Sequence, residues 1–321
     1  MKRVAIAVAW VGLTLALAGN YSQFENKLLT SSQRLAQLEQ LLESARRRLQ
    51  VLSGDPYAAP LERDEAADAL ARARAQLKRQ RLELRKEAFR LWTDVLLARA
   101  RLQAAQAAEE VMEIRLRAAR IRVEKGAASP LELDAAQRAY ERASLQGRQA
   151  QATLEAALQA LAALTDVKPD EVPRVTPPAK LGVGEYPDLL LARLDVRALE
   201  RAVAAASGPD TPRLELEGKT AELASARERA TRLRERLRRR LEILRLQYQR
   251  QQRLIELARS AVNDAQKKLE AQRLRWDQGL ASRLDLSSAQ QALAQERADE
   301  VAAAVELGRL ALELWAYAEA P

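Results

Sequence analysis

Apolar residues recur along most of this chain at intervals of three and four. Leu28, Leu35, Leu38, Leu42, Ala45, Leu49 and Leu52 form one series. Leu233, Leu237, Leu244, Tyr248, Ile255, Ala258, Val262, Ala265 and Leu269 form another. Such steps keep apolar side chains on one face of an α-helix, and sustained heptads predict coiled-coil packing. Two breaks interrupt the pattern, Ser53-Gly54-Asp55-Pro56 with Pro60, and Ser207-Gly208-Pro209-Asp210-Thr211-Pro212. Glycine and proline at such density end helices. A long helix is expected from about Leu61 to Lys125 and another from about Lys219 to Gln278. About sixty residues at about 1.5 Å each make a rod of about 90 Å. A rod that long has to pack laterally, against helices of its own chain or of partners.

Each expected rod ends in the same kind of turn. Gly126 and Gly279 suit the left-handed conformation that closes a helix. Ser129 and Ser282 suit the N-cap of a returning helix, and Glu132 and Asp285 the acid of a capping box. Pro130 suits the first helical position. Capping alone accounts for these residues. A functional reading adds exposed tip residues, Ala127, Ala128, Leu280 and Ala281, that another helical tip could meet.

With an offset of 153, Leu116–Ala139 falls on Leu269–Ala292 without a gap, and 12 of 24 positions are identical. The identities include Gly126, Ser129, Leu131 and Gln137, which a shared Ala/Leu/Arg bias would not align. This reads as an internal duplication. The expected organisation is a leader over 1–18, a first helical repeat over 19–167, a Pro-rich linker over 168–185 and a second repeat over 186–321. Pro187-Asp188-Leu189 opens the first helix of the second repeat.

Composition narrows the chemistry. Aromatic residues are 4% and charged residues 30%, the bias of long helices with narrow Ala/Leu seams. Histidine and cysteine are both absent, which removes thiol nucleophiles, disulfides, the usual zinc sites and imidazole bases. No carboxylate pair has companions suited to catalysis. The reading is a protein that is not an enzyme and takes no cofactor or metal. At the N-terminus, Lys2 and Arg3 precede an apolar run from Val4 to Leu15, and Ala16-Leu17-Ala18 has the small-x-small form of a cleavage site. That is the layout of a secretory signal peptide, and an uncleaved anchor is the alternative. Without Lys2 and Arg3 the net charge falls from +9 to 51 basic against 44 acidic residues, or +7. Arg232, Arg234, Arg236, Arg238, Arg239 and Arg240 form a basic run, read first as a solvated face and otherwise as a contact for anionic head groups or an acidic partner. No aromatic interleaving accompanies it, so no nucleic acid is expected as a partner. Trp92, Trp276 and Trp315 are expected to pack in cores or grooves.

These features together resemble the TolC-type outer-membrane efflux protein family over nearly the whole mature chain. The tip pattern Gly-x-x-Ser-x-Leu-[Asp/Glu]-Leu-x-x-Ala-Gln occurs at 126–137 and again at 279–290. Tyr186-Pro187-Asp188-Leu189 after the linker and Pro212-Arg213-Leu214-Glu215-Leu216-Glu217-Gly218 support it. The resemblance implies an all-α protomer of long antiparallel helical hairpins that forms a homotrimeric export tube. Its hairpin tips, Gly126 to Ser129 and Gly279 to Ser282, would dock on the periplasmic adaptor of an inner-membrane pump. Glu132 and Asp285 would be the acids near the duct entrance.

One departure matters. The family carries two strands of a membrane barrel at each break, and a spanning strand needs about 9–11 residues. Ser53 to Pro60 is 8 residues and Ser207 to Gly218 is 12, so neither break holds a spanning hairpin. At most Arg213 to Glu217 is one short strand. The expectation is an exported protein, in the periplasm or at the periplasmic face of the outer membrane, with a separate outer-membrane channel as a further partner. A periplasmic coiled-coil chaperone and a structural envelope spacer are the competing readings. Two matched tips favour the duct.

Overall fold

The computed structural model describes residues 20–208 and 212–319. The expected leader over 1–18 and residues 209–211 of the second break lie outside them. Seven helices account for most of the described residues: α1 (20–31), α2 (Gln33–Gly54), α3 (Pro60–Glu124), α4 (Pro130–Ala162), α5 (Pro187–Ala205), α6 (Arg213–Asp277) and α7 (Arg283–Trp315). Among the described residues there is no strand, only an isolated bridge between Leu181 and Ala318. No described helix is long and apolar enough to cross a membrane. The all-α expectation and the absence of a barrel hairpin at the described breaks both hold.

α3 and α6 are each 65 residues long, and α4 and α7 are each 33. Both expected apolar series are buried or half-buried at every position. Two local expectations need correction. Arg213 to Glu217 is the first turn of α6, not a strand. Pro212 supplies a carbonyl to Glu215 N and Leu216 N, and the pairs Arg213–Glu217 and Lys219–Glu215, both i,i+4, support that turn at 2.8 and 2.7 Å. The first helix is also not continuous, because Ser32 separates α1 from α2. Thr30 and Ser31 hydroxyls bond back to Asn26 O and Leu28 O, and Ser32 Oγ accepts from Leu35 N as the N-cap of α2.

The first break is a built loop. Asp55 accepts from Tyr57 N through its side chain at 2.8 Å, and Arg63 of α3 donates to Leu52 O at 3.0 Å and to Asp55 O.

The chain divides into two compact units, each drawing on both halves of the sequence. In the first (described residues 20–24, 88–174 and 249–308), Trp92 is buried between α1 and the linker. Phe24 stacks on it at 5.8 Å, Tyr21 meets it edge-on at 5.6 Å, and its indole N–H donates to Glu171 O. Gly308 of α7 lies so close to Phe89 that an added Cβ would stand 2.3 Å from the ring. α6 and α7 run antiparallel around Ala265, Leu269 and Leu293, with Gln251 donating to Ala303 O.

The second unit (25–87, 175–208, 212–248 and 309–319) has its core where Leu189 of α5, Leu237, Leu241 and Leu244 of α6, and Leu310, Leu314 and Tyr317 meet. α3 lies against α2 through Leu35, Leu77 and Leu84. It lies against α5 through Arg79–Asp188, Arg72–Asp195 and the buried Asp68, which takes both Arg197 and Arg201. Linker carbonyls in each unit are met by side chains rather than by a sheet. Pro169 O accepts from Arg99, Thr176 O from Trp315 and Leu181 O from Arg245. Proline has no N–H to offer a ladder, so helix side chains hold the strap instead.

Candidate docking site at the helical turns

Both turns belong to the first unit and close in the same way. At the end of α3, Gly126 N donates to Val123 O at 2.9 Å and Ala127 N to Arg122 O at 2.8 Å. At the end of α6, Gly279 N donates to Trp276 O at 2.9 Å and Leu280 N to Arg275 O at 2.7 Å. This paired closure is a Schellman motif, which needs a left-handed residue. Gly126 and Gly279 supply it with φ of 70° and 71°.

The returning helices start on the expected serines, with a difference. Ser129 Oγ accepts from Glu132 N at 3.3 Å, and Pro130 takes the first helical position. The Glu132 side chain makes no return bond to Ser129 among the described residues. In the second turn the box is complete. Asp285 N donates to Ser282 Oγ at 3.2 Å, and Asp285 Oδ2 accepts from Ser282 N at 2.9 Å and from Ser282 Oγ at 2.7 Å. The backbone and hydroxyl bonds from Ser282, with Arg275 nearby, hold the Asp285 carboxyl below its ordinary range. α7 is also tied to α3, because Glu110 accepts from Ser287 at 3.4 Å and faces Arg283 at 3.8 Å.

Of the residues expected to be exposed, Ala127 and Leu280 are, whereas Ala128 and Ala281 are half-buried. Apolar side chains are exposed around both turns, and Ile121, Leu274 and Trp276 among them lie outside the tip pattern. Leu131 is 71% exposed, Leu280 66%, Leu274 63%, Ile121 50% and Trp276 43%. Trp276 is therefore not packed in a core. Ile121 and Leu274 fall off the apolar seam of their helices, which was their signal, whereas Trp276 continues the heptad of Ile255, Val262 and Leu269 and gave none. A surface of this kind offers apolar contact around a rigid backbone turn. Among the described residues, no cluster of acidic side chains is arranged to hold a metal ion.

No protein-family model matches the sequence, and no curated protein matches it. Solved structures do. The outer membrane protein VceC from Vibrio cholerae aligns with a TM-score of 0.63 at 17% identity, over 94% of this chain and 97% of that one. The Campylobacter jejuni outer membrane channel CmeC gives 0.58 at 13%, over 93% and 85%. A membrane protein from Pseudomonas aeruginosa gives 0.54 at 14%, over 93% and 90%. The likeness is one of fold: the chain has the helical fold of TolC-type outer-membrane channels, as its tip motifs led us to expect.

Proposed function

We propose that this chain is a subunit of a cell-envelope export duct, a periplasmic helical tube that docks to an adaptor through its two turns. Residues 19–167 and 186–321 are then two copies of one repeat joined by the 168–185 linker, and three chains make the tube. The leader over 1–18 is removed on export. A separate outer-membrane channel completes the path. The observation that carries this reading is the doubled turn. Two helices of 65 residues end in the same left-handed glycine closure and restart on the same serine cap. A spacer or a chaperone has no need of a matched pair. The likeness of fold to outer-membrane channels supports the same conclusion.

The uncovered face of α6 supports assembly. Its exposed Ile243, Leu246, Leu254 and Leu257 recur at helical spacing away from its buried row. A second copy is the occupant this reading gives them.

The chain contains no cysteine, so one introduced at Leu280 carries a photo-crosslinker at a single place. We expect native mass spectrometry to find a trimer, and illumination in intact cells to join residue 280 to a pump adaptor. Leu280→Asp should spare the melting temperature while abolishing both the crosslink and export. If Leu280→Asp leaves adaptor binding and export unchanged, the turns are only turns, and the chaperone or spacer reading takes over.

A further inference from the structure

The second unit contains a cleft that the duct reading leaves unused. Its volume is about 440 Å³. One wall is a face of α3, along which Arg74, Lys78, Arg81 and Arg85 step by four, three and four. The facing wall is Trp315 with the residues that follow α7. Leu82 adds apolar surface.

The cations differ in what they already hold. Arg81 pairs with Glu39 and Arg85 with Glu25, both at 2.8 Å. Lys78 Nζ donates to Glu185 O and Ala318 O, both at 2.9 Å, which leaves its third N–H free. Arg74 makes no ion pair or hydrogen bond among the described residues and yet lines the cleft. Trp315 is fixed by its bond to Thr176 O, with the Arg85 guanidinium 5.9 Å from its ring centroid, and 37% of the residue is still exposed. Two acids also line the cleft. The Glu319 carboxylate lies over Gly182, where an added Cβ would stand 1.9 Å from it, and the Glu185 charge acts on Lys78. Burial lowers the Lys78 pKa and Glu185 raises it, the first effect being the larger.

We propose that this cleft binds an organic anion with an apolar body, its acid head held by Arg74 and Lys78 and its body laid on Trp315 and Leu82. A guanidinium offers a planar fork that fits carboxylate, sulfonate and phosphate heads. The aromatic and leucine walls give a bare inorganic anion nothing, so the body contributes to recognition. The volume suits a small organic molecule. The inference does not depend on assembly or on the turns.

Calorimetric titration of the full chain with 1-naphthalenesulfonate tests it, with 1-naphthalenemethanol as the uncharged counterpart and laurate as a chain-like anion. The sulfonate should bind saturably, at least tenfold tighter than the alcohol, and more weakly as salt rises. Laurate binding as well as the sulfonate identifies a lipid-like ligand, and laurate failing where the sulfonate binds identifies an aromatic acid. Bound sulfonate should quench tryptophan fluorescence, and Trp315→Phe should remove most of that quenching. Arg74→Gln, which gives up no existing bond, should weaken binding about tenfold with an unchanged melting curve. The proposal is overturned if no saturable heat appears at millimolar sulfonate. It is equally overturned if Arg74→Gln, folded by its melting curve, binds as tightly as the parent.

Discussion

α3 and α6 have the same length and end in the same turn, but they live in different surroundings. α3 buries neighbouring positions, Ala88 with Phe89, Trp92 with Thr93 and Val95 with Leu96, so more than one of its faces is covered. α6 buries a single row, Leu223, Ala226, Leu237, Leu241, Leu244, Ile255, Ala265 and Leu269. Charge follows the same division. On α3, Arg72, Arg79, Arg81 and Arg85 meet Asp195, Asp188, Glu39 and Glu25. On α6, Arg234, Arg236, Arg238 and Arg239 are exposed and meet no acid among the described residues. The offset of 153 that aligns the tips sets Arg232 on Arg79, Arg234 on Arg81 and Arg238 on Arg85. Arg234 and Arg238 thus lack, among the described residues, the acids that Arg81 and Arg85 meet on neighbouring helices, and Arg232 pairs only with Glu228 of its own helix. The lesson is that a helix's pattern fixes its seam, while its neighbours decide what the rest of its surface does.

The sharpest way to break this comparison is to make the same deletion on both helices. Leu96→Ala on α3 should cost about 2–5 kcal/mol by thermal or urea unfolding, because a buried leucine leaves a cavity. Leu257→Ala on α6, where the leucine is 66% exposed, should change the stability of the isolated chain by less than about 0.5 kcal/mol. Equal losses would mean that α6 is covered within its own chain.

Gly308→Ala probes the crowded side of α3. The new methyl would press on Phe89, and overpacking of this kind costs about 1–3 kcal/mol in the same unfolding assay. A neutral result would mean that α7 can move away from α3 freely.

Arg236→Glu with Arg239→Glu tests the bare side. The melting temperature of the dilute chain should stay put. Assembly, read by sedimentation velocity, should weaken by tenfold or more if a second copy or an acidic partner covers this face. An unchanged sedimentation profile would assign these arginines to solvent.

The smallest effects belong to the caps. Ser282→Ala should cost about 1 kcal/mol, the usual loss for an N-cap hydroxyl. The Asp285 carboxyl is held below its unfolded value, so its contribution is complete above that value and disappears as pH falls through the folded one. Amide exchange in the second turn should therefore accelerate in acid before it does in the first turn, where Glu132 makes no return bond. Asp285→Asn should remove that difference between the turns.

The seams and the turns were legible because each is set by residues close in sequence. A left-handed glycine followed by a serine cap says the same thing in any context. The start of α6 was misread because Leu-Glu-Leu-Glu alternates like a strand, while its i,i+4 ion pairs and the preceding Pro212 favour a helix. The break at Ser32 was missed because three consecutive hydroxyl residues bond to backbone without any glycine or proline to announce it. Glu110 could not be assigned, since its partners Arg283 and Ser287 lie more than 170 residues away. The anion cleft has the same origin: the α3 cations were visible, but not the Trp315 that faces them.

Lys78 binds the carbonyl of a residue 240 positions later, and Tyr317 O accepts from Gly182 N. The second unit therefore cannot close before α7 and the residues that follow it have been made. Its core waits for Leu310, Leu314 and Tyr317, which follow Leu189 by more than 120 residues. Until then the α2–α3 segment has its seam but not its lid, and contacts of such long range form slowly. The order of synthesis thus keeps the second unit open over the whole span from α2 to α7.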